Sequence, residues 1–322
     1  MATSTHSQRL HLILDFDGTI TTSDTTPIIG SRLLSEAQNC GATTKSMKYY
    51  TDRYMQDHQT WKAAQARKLE DCGSVDAVVD FVSEVVGVER ASFARVREGI
   101  LGGGMQEYER DEAKRNDFML RCGREAIRDG EVGIRDLEAL RQLLQVASAG
   151  RNAWGVVSVS WSKRFILGAL IEAGLIPMDG KEAMAERIKC NEILAPPRKY
   201  DEDGRPVTIS SARDKLDAMG ELLAEWKTGH PNAADTILVY VGDSSTDIGC
   251  LARADVGCYI HTPDSSLNAY IARLVDIEAR KVTVNDLPRT KSSTNEHSQA
   301  LCAVEGFEEL AAWASKTFRS PN

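Results

Sequence analysis

What the chain lacks narrows its class before any motif is read. It has seven cysteines but no CxxC pair and no zinc-ligand spacing. An odd, dispersed set argues against a disulfide framework and for reduced thiols in the cytosol. No run approaches the roughly 18 apolar residues that a membrane span requires, and the polar start, Met1 to Gln8, has no apolar signal core. Basic residues are outnumbered: 39 Lys and Arg face 47 Asp and Glu, a formal net charge of −8. That balance argues against a broad nucleic-acid footprint while leaving room for a local basic pocket around a phosphate. Internal repeats and extended low-complexity tracts are absent as well. A cytoplasmic protein is expected, with nuclear entry left open and neither nucleic acid nor membrane among its partners. The pattern does not fix an oligomeric state.

What is present is ordinary in bulk. The 322 residues are 42% hydrophobic and 27% charged, enough for a sizeable core in one or two domains. The run Leu10-His-Leu-Ile-Leu-Asp-Phe-Asp-Gly-Thr-Ile20 is apolar, then ends in two carboxylates and a turn signal, and reads as a buried strand. Thr26 to about Gly130 reads as a helical block. Within it Met47 to Asp71 is free of Gly and Pro, and the valines of Val75 to Val86 recur at three and four as one helix face. Gly102-Gly103-Gly104 breaks the block and Met105 to Arg128 resumes it. From Gly133 the pattern turns to βα alternation. It gives a helix over Asp136 to Val146, a strand over Ala153 to Ser160 and a helix over Lys163 to Ala173. A hairpin-like pair, Cys190–Leu194 and Pro206–Ile209, flanks the turn Asp201-Glu-Asp-Gly204. A helix over Ser211 to Trp226 and strands over Thr236 to Gly242 and Val256 to Ile260 follow. Thr283 to Ser298 reads as a polar surface loop and Glu305 to Lys316 as a last amphipathic helix. Strands separated by helices argue for a parallel sheet. The expected fold is therefore α/β: a Rossmann- or flavodoxin-like core, residues 1–25 and 131–322, with an all-α cap, residues 26–130, inserted after the first strand. Insertions at that place often act as lids.

Chemistry-bearing residues gather at strand ends. Asp15 and Asp17 fall at the carboxyl edge of the sheet, where open α/β sheets place their sites, and Gly18 lets the chain turn there. A second strand ends in Gly242-Asp-Ser-Ser-Thr-Asp247, which brings Asp243 and Asp247 to the same edge. Clustered carboxylates raise one another's pKa unless a cation sits among them, and a hard oxygen set suits magnesium. A third strand ends in Ser158-Val-Ser160, and a serine opening a helix can offer hydroxyl and amides to an anion. Either serine fits; Ser160 lies nearer the carboxyl end. Lys215, just ahead of Leu216, Met219 and Leu222, supplies the cation that a phosphate site among acids needs. Each signal has a plainer alternative. The acids can be helix caps or turn residues, Asp247 most readily; the serines can be N-caps, and Lys215 a solvated surface lysine.

In this order the four segments resemble the four motifs of the haloacid dehalogenase superfamily of phosphohydrolases: Asp15-Phe-Asp-Gly-Thr19, Ser160, Lys215 and Gly242-Asp-Ser-Ser-Thr-Asp247. The resemblance covers residues 10 to about 260, and the first and fourth motifs are the specific ones. The long helical insertion looks like the group that includes phosphoserine phosphatase. Ser158-Val-Ser-Trp-Ser162 and Lys189-Cys-Asn-Glu-Ile193 are similar to a subset with fungal cold-tolerance-like proteins and the thiamine monophosphate phosphatase domain of plants.

The resemblance implies that Asp15 attacks phosphorus to form an aspartyl-phosphate and that Asp17 serves as acid and then base. It implies that Asp15 and Asp243 ligate magnesium through carboxylates, Asp17 through its backbone carbonyl, and Asp247 through water or from behind. Ser160 and Lys215 would hold the phosphoryl oxygens. Gly18, Thr19, Ser158, Trp161 and Asp24 are the further candidate substrate contacts, Asp24 alternatively capping the first inserted helix. Ser160-Trp-Ser162 replaces the Ser-Gly-Gly run of phosphoserine phosphatase, which argues against phosphoserine itself. The implied function is a Mg2+-dependent phosphomonoesterase acting on a small phosphorylated metabolite. A phosphomutase of the same fold is one alternative. A binding or regulatory protein without turnover is another, and the presence of every acid counts against it.

Overall fold

The computed structural model describes residues 8–228, 236–263, 265–277, 279–287 and 300–318. Strand β1 (Arg9–Leu14) is buried along its whole length. Leu10, Leu12 and Leu14 enter one apolar core and Ile13 the core on the opposite face, as the side-chain alternation of a strand buried on both sides requires. Its neighbours are β2 (Ala153–Val157) and β4 (Thr236–Gly242), both parallel to it. With β3 (Ile188–Lys189), β5 (Val256–Ile260), β6 (Arg280–Val282) and β7 (Ala300–Val304), they form a seven-stranded sheet in the order β3-β2-β1-β4-β5-β7-β6. Every pairing is parallel. The order runs outward in one direction from β1 and in the other from β4, so the topological switch lies between these two. In open α/β sheets, ligands bind at that point, beyond the carboxyl ends of the strands.

Six helices fill the stretch between β1 and residue 130: α1 (Thr26–Asn39), α2 (Met47–Ala64), α3 (Val75–Ser83), α4 (Val86–Ile100), α5 (Gln106–Arg110) and α6 (Glu112–Arg128). The valine repeat across Val75–Val86 is therefore two helices, not one. The reason is packing. Val75, Val78, Val79 and Val82 belong to the core on one face of the sheet, whereas Phe93, Val96 and Ile100 of α4 belong to the other. No single straight helix could serve both. The stretch expected as one helix from Met105 to Arg128 breaks at Asp111, whose extended backbone and side chain, accepting from the Lys114 amide at 3.0 Å, cap α6.

The return begins with α7 (Leu137–Ala147), β2 and α8 (Lys163–Glu172). Helices α6 and α8 meet backbone to backbone: a Cβ on Gly123 would lie 2.1 Å from the Phe165 carbonyl oxygen, and one on Gly168 2.1 Å from that of Leu120. After α9 (Lys181–Ala185) and β3 comes α10 (Ala212–Thr228), then α11 (Ile248–Arg253), α12 (Leu267–Ile277) and α13 (Glu308–Phe318). Strand β2 ends at Val157, short of the expected Ser160.

Cys190–Leu194 and Pro206–Ile209 do not pair as a hairpin. The Asn191 side chain, rather than a backbone ladder, bonds both the amide and the carbonyl of Ile209. The turn Asp201–Gly204 is closed instead by a single antiparallel bridge between Tyr200 and Pro206. Helices α9, α11 and α12 and strands β6 and β7 add to the expected set. Of the expected loop Thr283–Ser298, Val284–Asp286 is a helical turn and residues 288–298 lie outside the described residues, as do residues 1–7 of the polar start.

Candidate active site

The site grows from the end of β1. The Asp15 amide still donates to the Val241 carbonyl of β4 at 2.9 Å, so the carboxylate leaves the sheet from a fixed backbone. The chain then turns through Phe16–Ile20. Gly18 has φ +75°, and a Cβ there would lie 2.2 Å from Asp243 Oδ2; only glycine permits both the turn and the approach. The Arg135 guanidinium donates to the carbonyls of Gly18 at 2.9 Å and Thr19 at 3.3 Å, bracing the loop from behind. Its neighbour Asp136 has φ +41° and accepts from the Phe307 amide at 3.0 Å. The Thr19 hydroxyl donates to Asp243 Oδ1 at 2.8 Å.

Asp15 and Asp17 are separated by this turn into different surroundings. Lys215 Nζ lies 3.0 Å from Asp15 Oδ1 and 2.7 Å from Asp247 Oδ1. Asp17 Oδ1 accepts from the amide of Thr25 at 2.8 Å and from its hydroxyl at 2.5 Å, while Oδ2 is buried with no partner. Burial pushes the Asp15 carboxyl well above the ordinary range; Lys215 draws it back, and Asp247, Asp243 and Asp17 push it further up. Burial, then Asp24, raises Asp17 to about 6 against the bonds from Thr25. Burial and Asp247 raise Asp243 to about 6. Burial alone would lower Lys215, but Asp15 and Asp247 outweigh it and raise its pKa, so the ammonium stays charged.

Asp247 is saturated. Its Oδ1 accepts from Lys215 and, at 2.6 Å, from the Tyr240 hydroxyl. Its Oδ2 accepts from the amides of Asp243 at 3.2 Å and Ser244 at 3.0 Å and from the Ser244 hydroxyl at 2.8 Å. Carboxylate oxygens of Asp15, Asp243 and Asp247 lie within 4.8 Å of one another. One lysine faces three acids, so the cluster carries excess negative charge in a low-dielectric place. An oxygen-loving divalent cation fits that donor set. Asp15 and Asp243 have carboxylate oxygens to give it, whereas both oxygens of Asp247 are already committed.

Across the site, Ser158 and Ser160 are both fully buried but differ in bonding. Ser158 Oγ accepts from the Ser160 amide at 3.1 Å; Ser160 Oγ has no partner. Trp161, half-buried, meets Phe93 of α4 edge-on with ring centres 6.1 Å apart. Asp24 is exposed, and its Oδ1 accepts from the Thr26 amide at 2.8 Å at the start of α1; the structure thus gives it a capping bond. Asp15, Lys215 and Ser160 are between 0 and 2% exposed, whereas Asp17 and Asp243 are half-buried.

Three residues of this neighbourhood carried no signal of their contacts in the sequence. Tyr240 sits in an apolar strand and reads as core. Arg135 is a lone basic residue. Asn191 stands inside Lys189-Cys-Asn-Glu-Ile193 with nothing to mark its partners.

No model of a known protein family matches the chain. Over 282 residues it is 22% identical to a CTO1 family protein of Schizosaccharomyces pombe, covering 87% of this chain and 91% of that one. Among solved structures it is similar to a conserved, functionally unknown protein from Anaerococcus prevotii, at 13% identity and a TM-score of 0.44 over 87% of this chain and 88% of that one. It is also similar to a phosphoserine phosphatase solved as a phospho-aspartyl intermediate analogue, at 14% identity and a TM-score of 0.34 over 83% and 91%. At these levels the chemistry rests on this chain's own residues. Among the described residues, no helix is long and apolar enough to cross a membrane.

Proposed function

We propose that the protein is a phosphomonoesterase of the haloacid dehalogenase type, acting on a small phosphorylated metabolite in the cytoplasm. One observation carries this reading: Asp15 sits at the topological switch, 3.0 Å from a buried lysine and beside two further acids. That arrangement gives a nucleophile, a fixed cation and a cation-binding oxygen set at one point.

In the first half-reaction an Asp15 carboxylate oxygen forms a bond to phosphorus as the bond from phosphorus to the leaving oxygen breaks. Asp17, whose raised pKa keeps a proton available near neutrality, gives that proton to the leaving alkoxide. In the second, Asp17 takes a proton from water, the water oxygen bonds to phosphorus, and the Asp15 carboxylate is restored with release of orthophosphate. Ser160, with its free hydroxyl, and Lys215 hold the non-bridging oxygens. Asp15 and Asp243, with the Asp17 carbonyl, would hold Mg2+; when bound, it neutralises charge on the phosphoryl group. Asp247 acts from behind, fixing Lys215 and the amides of Asp243 and Ser244.

Residues 26–130 are proposed to form the helical cap on a core of residues 1–25 and 131–322. Of these helices, α4 meets Trp161 through Phe93, Thr25 at the start of α1 bonds Asp17, and α3 packs into the core on the other face of the sheet. Exclusion of bulk water by these helices in the first half-reaction favours transfer to Asp15 and strengthens the electrostatics within.

The test is a phosphate-release screen over phosphorylated metabolites and an aryl phosphate with magnesium, run beside Asp15→Asn. The expected result is release by the wild type, reduced in the variant by a factor on the order of 10^4 or more. Release unchanged by Asp15→Asn overturns the mechanism. Return of the phosphoryl group to an isomeric sugar phosphate identifies a mutase, and no release from any ester favours a binding role.

A further inference from the structure

Asn191 follows β3, is 6% exposed, and ties together two loops on which the proposed phosphate cradle depends. Its Nδ2 donates to the carbonyls of Val159 at 2.8 Å and Ile209 at 2.9 Å. Its Oδ1 accepts from the Ile209 amide at 2.8 Å. Its own amide donates to the Ser160 carbonyl at 3.0 Å. Two carbonyls facing the NH2 group and one amide facing the oxygen fix the orientation of the carboxamide.

One of these loops carries Ser160. The other runs from Ile209 into α10 and Lys215 through bonded steps. Asp214 Oδ2 accepts from the Ser210 amide at 3.1 Å and the Ser211 hydroxyl at 2.8 Å, and the Lys215 amide donates to the Ser211 carbonyl at 3.0 Å. Neither Ser158–Ser162 nor Ile209–Ser211 lies in a strand or an α-helix, so no ladder fixes one against the other.

We propose that Asn191 is a positioning residue that sets the separation of Ser160 and Lys215, and through it the affinity of the site for phosphoryl oxygens. The proposal rests on the phosphatase reading above. A tetrahedral anion held by groups from two loops is bound tightly only while their spacing is kept, and a misplacement of about 1 Å costs up to about 100-fold. No other side chain of this length offers two donors and an acceptor in one plane. Aspartate has the same shape but only acceptors, so it faces two carbonyls that it repels; glutamine is one methylene too long.

The experiment compares Asn191→Asp and Asn191→Ala with wild type and with Ile271→Ala, a cavity variant in α12 distant from the site. Aryl phosphate kinetics with magnesium, inhibition by orthovanadate, melting temperature and amide hydrogen exchange are measured on the full chain. In both Asn191 variants the KM and the vanadate inhibition constant are expected to rise by about 10- to 100-fold, with a smaller change in kcat. Amides of 158–162 and 209–211 should exchange faster. Ile271→Ala should lower the melting temperature and leave all of these at wild-type values. Unchanged vanadate affinity in a folded Asn191 variant, or an equal loss in Ile271→Ala, overturns the proposal. Should the wild type release phosphate from no ester, the phosphatase reading fails by itself. The exchange measurement then decides the clasp: faster exchange at both loops upholds it and unchanged protection removes it.

Discussion

Lys215 and Asp247 form an ion pair at 2.7 Å in which neither side chain is exposed to solvent. Its charges are compensated by further contacts, Asp15 on the lysine and Tyr240 with Ser244 on the carboxylate. Breaking a buried pair by removing one partner leaves an uncompensated charge, which costs about 3–5 kcal/mol. Lys215→Met is expected to lower stability to urea by that amount. Lys215→Met combined with Asp247→Asn should cost less than the sum of the single changes, and strict additivity in the double-mutant cycle would show that the pair is not coupled.

In the proposed mechanism Asp17 serves both half-reactions, as acid in the first and base in the second. If it donates the proton to the leaving group, Asp17→Asn should slow an alkyl phosphate far more than an aryl phosphate, whose leaving group needs no proton. The difference is expected to be on the order of 10^2- to 10^4-fold, the usual contribution of general acid catalysis. Equal losses on both esters would remove Asp17 from that role.

The acid cluster also predicts how stability responds to pH. Asp17 and Asp243 are raised to about 6 in the folded protein, above the ordinary Asp value of about 3.9. The folded state therefore binds their protons more tightly than the unfolded chain. The stability they contribute is full below the ordinary value and is lost as pH rises through about 6. Metal-free protein should melt at a lower temperature at pH 7.5 than at pH 5, and Asp243→Asn should flatten that dependence. Magnesium should raise the melting temperature at pH 7.5 and much less at pH 5, because protons compete for the same oxygens. A melting temperature independent of pH and magnesium would contradict both statements.

The contact of α6 with α8 offers a test outside the site. Gly123→Ala places a Cβ 2.1 Å from the Phe165 carbonyl, and the helices must part to admit it. A loss of about 1–3 kcal/mol is expected for such overpacking, read from denaturant midpoints. Gly220→Ala, in α10 with open space around the new carbon, should be neutral or stabilising.

Those elements that were legible in the sequence follow from local rules. The apolar runs at β1, β4 and β5 have no other reading, and β4 and β5 begin and end where the pattern places them. Asp15, Asp243 and Asp247 meet because the adjacent strands β1 and β4 end at one edge, which βα alternation implies, and Lys215 reaches them from α10. What stayed hidden depends on partners distant in sequence. The break between α3 and α4 is decided by two cores on opposite faces of the sheet, which the valine period cannot reveal. Tyr240 looks like any aromatic in a buried strand until Asp247 is placed against its hydroxyl. Asn191 binds groups 18 and 32 residues away, and no local pattern encodes such a contact.

The bond from Phe307 to Asp136 has a consequence for the whole chain. Asp136 holds a left-handed turn that L side chains rarely adopt, and a Cβ on Gly306 would lie 1.7 Å from its Oδ2. The residue before it, Arg135, grips the carbonyls of Gly18 and Thr19. The turn that parts the two leading aspartates is thereby moored, through one arginine and one carboxylate, to the start of α13. Damage to the last helix should be felt first as lost turnover, before the sheet itself loosens.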